Sequence, residues 1–335
     1  MTALLVDEDG VPTRKAYREF PSYFPQPGWV EQDPDEIWRT VVETVAEVTA
    51  GTAPSDIAAV GITNQRETTV LWERSTLNPV HRAIVWQCRR SAPICEELRE
   101  RGVESEIRRR TGLLLDPYFS GTKLTWLFRN NPEFATRAAK GELAFGTIDS
   151  WLIARLTDGA LHATDPSNAS RTLLYNLAEA RWDPYLLELM EVPEAVLPKV
   201  EPSSHRFGGC TLPSLAGVPI GGVAGDQQSA LFGQACFTKG MAKNTYGTGS
   251  FILTNAGAEA PVSTHGLLTS VAWEIESRIE YALEGSVFIT GAGIQWLRDG
   301  LGIIGSSAEA GPLASSVEDS AGVYFVPALT GLGAP

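Results

Sequence analysis

Up to about Pro202, short apolar runs of strand length alternate with stretches whose apolar positions recur at helical spacing. Ala3–Val6 and Ile57–Ile62 read as strands, with Thr69–Trp72 as the partner of the second. Between the first two lies a well-marked helix. Asp33 caps it, Pro34 fits its first position, Glu36 completes a capping box, Ile37, Val41, Val45 and Val48 form one apolar stripe, and Gly51 ends it. Further helices are predicted over Ala92–Arg110, Lys123–Asn130, Trp151–Leu156 and Tyr185–Met190. Such alternation predicts an α/β protein rather than an all-α or all-β one.

After Pro202 the texture changes to glycine-rich turns between short apolar runs. Gly221–Ala224 is a strand candidate that passes into a helix over Gln227–Gln234. Met241–Tyr246 and Phe251–Thr254 bracket Gly247-Thr248-Gly249, the pattern of a hairpin with a glycine tip. A chain of 335 residues exceeds one ordinary core, so two domains are expected, 1–235 and 236–335, with the boundary near Cys236–Gly240.

Composition excludes several roles. A net charge of −13 disfavours nucleic acid and anionic membranes as partners. No apolar run approaches the roughly 20 residues that span a bilayer, and no signal-peptide pattern follows Met1, so the cytoplasm is the expected compartment. Cys88, Cys95, Cys210 and Cys236 are scattered, without CxxC pairs, and read as buried free thiols. There is no Gly-Lys dipeptide and therefore no P-loop, and no complete GxGxxG. Any nucleotide site must be of another kind.

Asp226, in Gly225-Asp226-Gln227-Gln228, stands where a strand becomes a helix, the end of a parallel sheet where ligands bind. A carboxylate there can accept a hydroxyl proton or hold a magnesium ion; it can equally cap the helix, and position alone leaves both open. The glycine hairpin suits phosphate oxygens, and Gly291-Ala292-Gly293 opens a second helix whose positive end is expected to be free. Arg66-Glu67 offers a donor fork beside an acceptor, a match for neighbouring hydroxyls or simply a surface ion pair. Trp86 and Phe251 can cover the carbon side of a small polyol or pack in a core.

Taken together, these segments resemble the FGGY family of carbohydrate kinases. The stretches that carry the resemblance run in family order across nearly the whole chain: Gly28–Pro34, Gly61–Thr68, Ile84–Arg90, Asp116–Leu124, Gly225–Gln228, Asn244–Gly249 and Phe288–Asp299. The resemblance implies an actin-like, ribonuclease H-like fold of two domains closing over a cleft, with the second incomplete here. It implies phosphorylation of glycerol by ATP with Mg2+; a xylulose or gluconate type, or a non-catalytic polyol-binding remnant, is the alternative. Arg66, Glu67, Trp86, Tyr118, Asp226, Gln227 and Phe251 would line the glycerol pocket, with Asp226 as catalytic base and magnesium ligand. Thr248, Gly249, Gly291 and Gln295 would meet ATP, and the family allows a homo-oligomer.

The chain also departs from the family. The Asp-x-Gly-Thr-Thr-Ser loop that precedes the Ala3–Val6 segment in the family is missing, and so is the continuation beyond Pro335. A strand over Val323–Leu329 running straight into a terminal turn fits the same expectation of a fragment with weak or no turnover. Leu215–Pro219 lacks the Gly-Gly-Thr-Arg loop that binds a sugar bisphosphate inhibitor in some bacterial members, so inhibition by that route is not expected.

Overall fold

The computed structural model describes residues 1–327. The chain opens on an antiparallel hairpin, β1 (Thr2–Val6) and β2 (Pro12–Tyr17), across which α1 (Pro34–Val48) packs. Asp33 caps α1 by accepting the amide of Asp35. Glu36 does not close the capping box, because its carboxylate is taken by the Tyr23 hydroxyl. Ile37 and Val41 carry the stripe into a core with Trp72, Trp151 and Ile220.

The expected strand near Ile57 begins later, as β3 (Val60–Asn64), and is followed by β4 (Val70–Glu73). The two do not pair with each other. β4 runs antiparallel to β5 (Leu143–Gly146), which comes after the helices α2 (Ala92–Glu100), α3 (Glu104–Thr111), α4 (Ser120–Asn130) and α5 (Pro132–Ala139). The single helix expected over Ala92–Arg110 is divided because Gly102 adopts φ 72°, a left-handed turn that α-helix cannot continue through. Beyond β5 come α6 (Ile148–Leu156), α7 (Pro184–Leu189), β6 (Ile220–Gly225) and α8 (Asp226–Gly233). β3 pairs in parallel with β6, placing Ile62 opposite Val223 and Asn64 opposite Gly225.

The rest of the described chain is built on an antiparallel sheet of β7 (Ala242–Tyr246), β8 (Ser250–Gly257), β9 (Leu268–Ile275) and β10 (Arg278–Val287), in the order β7-β8-β10-β9. Leu231 of α8 packs with Leu253, Ala272 and Ala282 of that sheet, so α8 belongs to both halves of the molecule. α9 (Gly291–Asp299) follows β10. The strand expected over Val323–Leu329 does not form as far as residue 327, where the apolar side chains stand exposed; Ala328 and Leu329 lie outside the described residues. The four cysteines are buried and free. No described helix is long and apolar enough to cross a membrane.

Candidate active site

The parallel pairing of β3 with β6 brings Asn64 and Gly225 to one edge, from which the turn Gln65–Glu67 and the start of α8 both emerge. Gly225 has no freedom to carry a side chain. A Cβ there would lie 2.4 Å from Cγ and Cδ of Arg66, so glycine is what lets the arginine pass. Asp226, the first residue of α8, does not cap the helix. Its Oδ1 accepts the amide of Gln227 at 2.8 Å, its Oδ2 accepts the Gln227 side-chain amide at 3.2 Å, and its side chain remains 44% exposed.

Arg66 and Glu67 are both buried rather than a surface pair. Arg66 gives Nη1 and Nη2 to the carboxylate of Glu284 on β10 at 2.8 and 3.1 Å, and Nη1 also reaches Gln228 Oε1 at 3.1 Å. Its Nε has no hydrogen-bond partner; it sits 3.3 Å from Asp226 Oδ1 and 3.5 Å from Glu67 Oε1. Arg171 completes the network, with Nε on Glu67 Oε1 at 2.7 Å and Nη2 on Glu284 Oε1 at 3.1 Å. Burial works against the charge on Glu284, but Arg171 and Arg66 hold its carboxyl down to about 2. Burial likewise opposes the charge on Arg66, and Glu284 and Glu67 overcome it.

Sequence reasoning missed Glu284, Arg171 and Lys123. A lone acid in the apolar run Tyr281–Val287 was the available signal for Glu284. Lys123, fully buried on α4, donates to the carbonyls of Glu67 and Tyr118, each at 2.7 Å, and so ties the two backbone segments together. Burial pulls its pKa down to about 7.

Every residue expected around the polyol lines one cavity of about 60 Å³: Arg66, Glu67, Trp86, Tyr118, Asp226, Gln227 and Phe251, joined by Gln65. Trp86 meets Tyr118 and Phe251 edge-on, with ring centroids 5.6 and 6.4 Å apart, so the apolar wall is a rigid aromatic cluster. Gln65, Arg66, Glu67, Asp226 and Gln227 supply the polar part of the lining.

Thr248, Gly249 and Gly291 are brought together in a second group, with Gln295 exposed one turn further along α9. The start of α9 is not free, however. The amides of Gly291 and Ala292 donate to the carbonyls of Gly247 and Thr248 at 3.0 and 3.2 Å, and Thr290 donates to Thr248 O at 2.8 Å. A Cβ on Gly291 would stand 2.5 Å from Gly247 O, and one on Gly249 would stand 2.6 Å from Val287 O. Hairpin and helix are locked at backbone contact, leaving the Thr248 side chain outward. Among the described residues no three acidic, cysteine or histidine side chains are grouped to hold a metal.

The model of the FGGY family of carbohydrate kinases matches residues 1–233 with its N-terminal domain and 242–335 with its C-terminal domain. Glycerol kinase 2 of Thermotoga maritima is 56% identical over 99% of this chain and 68% of its own length. Glycerol kinase of Polaromonas naphthalenivorans is 57% identical, again over 99% and 68%. In fold, the chain superposes on the crystal structure of Plasmodium falciparum glycerol kinase with ADP with a TM-score of 0.92 at 36% identity, covering 100% of this chain and 68% of that one. The gluconate kinase of Lactobacillus acidophilus, at 22% identity and a TM-score of 0.88, shares the fold over 100% of this chain and 67% of its own.

Proposed function

We propose that this chain, which belongs to the FGGY family of carbohydrate kinases, is an ATP-dependent phosphotransferase that converts glycerol to sn-glycerol 3-phosphate. The observation that carries the reading is the cavity of about 60 Å³ in which Arg66, Glu67 and Asp226 face Trp86, Tyr118 and Phe251. Its size suits a three-carbon polyol, whose hydroxyls each give and take a hydrogen bond while its carbons need an apolar wall.

The chemistry follows from the groups present. Arg66 Nε, buried and without an acceptor, donates to one hydroxyl, and Glu67 accepts from another. Asp226 takes the proton of the terminal hydroxyl, whose oxygen attacks the γ-phosphorus in line as the bond to the β,γ-bridging oxygen breaks and ADP departs. Gln227 holds the Asp226 carboxylate through two amides. Thr248, Gly249, Gly291 and Gln295 contact the nucleotide. Asp226, with its half-exposed carboxylate, is the residue that would hold a magnesium ion together with the nucleotide's phosphates, and such an ion would neutralise phosphate charge. The reaction belongs in the cytoplasm, where ATP is made available.

A coupled ADP-release assay tests the reading by comparing glycerol with a pentulose and a sugar acid. We expect kcat/KM for glycerol to lead by at least about a hundredfold, the discrimination that a filled pocket with paired polar groups supports. Equal values for the three acceptors would overturn it.

A further inference from the structure

Lys243 on β7 is buried, and its ammonium is held by Gln227 Oε1, by Thr245 Oγ1 at 2.9 Å and by the Phe251 carbonyl at 3.2 Å. No carboxylate lies within ion-pair distance of it among the described residues. Burial draws its pKa down to about 8, with the charge of Arg66 acting in the same direction. A cation in such a place is costly unless its hydrogen bonds do something that a methionine could not.

An ammonium has donors and no acceptor, so only the oxygen end of the Gln227 amide can face it. The NH2 end is then turned the other way, where Nε2 donates to Asp226 Oδ2 at 3.2 Å while the backbone amide of Gln227 holds Oδ1 at 2.8 Å. Were the amide reversed, its oxygen would meet the carboxylate and both groups would turn away. We propose that Lys243 is a positioning residue for phosphoryl transfer: by fixing which end of Gln227 faces Asp226, it sets the orientation of the carboxylate from the strand that leads into the glycine hairpin. The proposal rests on the reading of Asp226 as the base. It also gives the two halves a shared joint, since Lys243 touches Gln227 of α8 and Phe251 of β8, one from each wall of the cavity.

Three substitutions separate this role from packing. Lys243→Gln keeps a donor, Lys243→Met keeps bulk without one, and Lys243→Glu offers only acceptors. At saturating glycerol and ATP, turnover should fall in the order wild type, Gln, Met, Glu. The Met variant should be down by about tenfold or more, with both KM values within about threefold of wild type. In a Gln227→Ala background, Lys243→Met should cost less than about twofold further, because its effect passes through Gln227. Equal losses for Gln and Met, or an undiminished loss in the Gln227→Ala background, would overturn the proposal. A second readout is independent of turnover. The Gln227 side-chain NH2, observed by nitrogen-15 NMR of glutamine-labelled protein, should persist in Lys243→Gln and shift in Lys243→Met; an unmoved signal in the Met variant also overturns it. A wild-type chain that phosphorylates a pentulose or a sugar acid as readily as glycerol counts against the glycerol reading instead, and the NH2 signal still judges Lys243.

Discussion

Arg66 keeps its charge where water does not reach it, and Glu284 rather than its neighbour Glu67 supplies both of the short bonds that make this tolerable. Removing one partner of such a buried pair strands the other. Glu284→Ala should therefore lower stability by about 3–5 kcal/mol, read from denaturant unfolding, and weaken glycerol binding as Arg66 loses its anchor. Asp226 makes a different prediction because it is half open and holds little together. Asp226→Asn should reduce kcat by about 10²–10⁴-fold while glycerol affinity, followed by titration calorimetry, stays within a few-fold. Lys123 brings a pH dependence. Below about pH 7 both the folded and the unfolded chain carry its proton and the burial penalty is felt in full. Between about 7 and the ordinary value of 10.5, only the unfolded chain retains the proton. Stability of the wild type relative to Lys123→Met should thus rise from pH 6 to pH 9 in paired unfolding curves; a flat difference would refute it. Arg66, Glu67 and Asp226 stood out in the sequence as candidates, but residue type and turn context left a surface pair and a helix cap equally open, and only the family resemblance gathered them around one ligand. Glu284 could not, since the arginine that gives it meaning is 218 positions away.

Among the elements, the hairpin tip and the start of α9, where we propose that the nucleotide binds, act as one unit, because backbone carbonyls of one satisfy backbone amides of the other. Gly291→Ala would push a methyl group against Gly247 O, now at 2.5 Å from where the Cβ would be. The strain of such overpacking, about 1–3 kcal/mol, should raise KM for ATP by about tenfold and leave glycerol affinity untouched. Titrating the variant with glycerol and with ATP separately checks both halves of that statement. The hairpin itself was legible, as were β6 and α8, because turn glycines and apolar runs mark them locally. Strand partnership was not. Apolar residues at Thr69–Trp72 fit any buried neighbour, and only tertiary packing assigns β4 to β5 and β3 to β6. The freedom of the α9 amides was misjudged for the same reason: the carbonyls that occupy them come from residues more than a turn away in sequence.

At the level of the whole molecule, the cavity draws Arg66, Glu67, Trp86, Tyr118, Asp226 and Gln227 from the first part of the chain and Phe251 from the second sheet. Glycerol together with a nucleotide should draw these parts closer. Small-angle scattering should show a smaller radius of gyration with both ligands than with either alone, and no change would count against closure. The α/β class was readable from alternation, whereas the interlocking of the two halves through Glu284, Arg171 and Lys243 was not, since each is a cation or an anion whose partner lies in another element. The parallel pair β3–β6 has a consequence in time. It joins residues 60–64 to residues 220–225, so the turn that bears Arg66 meets the strand that leads into Asp226 only after everything between them has been made and has found its place. Contacts so far apart in sequence form slowly. During refolding from denaturant, helical signal should therefore return first and glycerol binding last, making the capacity to recognise substrate a timer for completion of the fold.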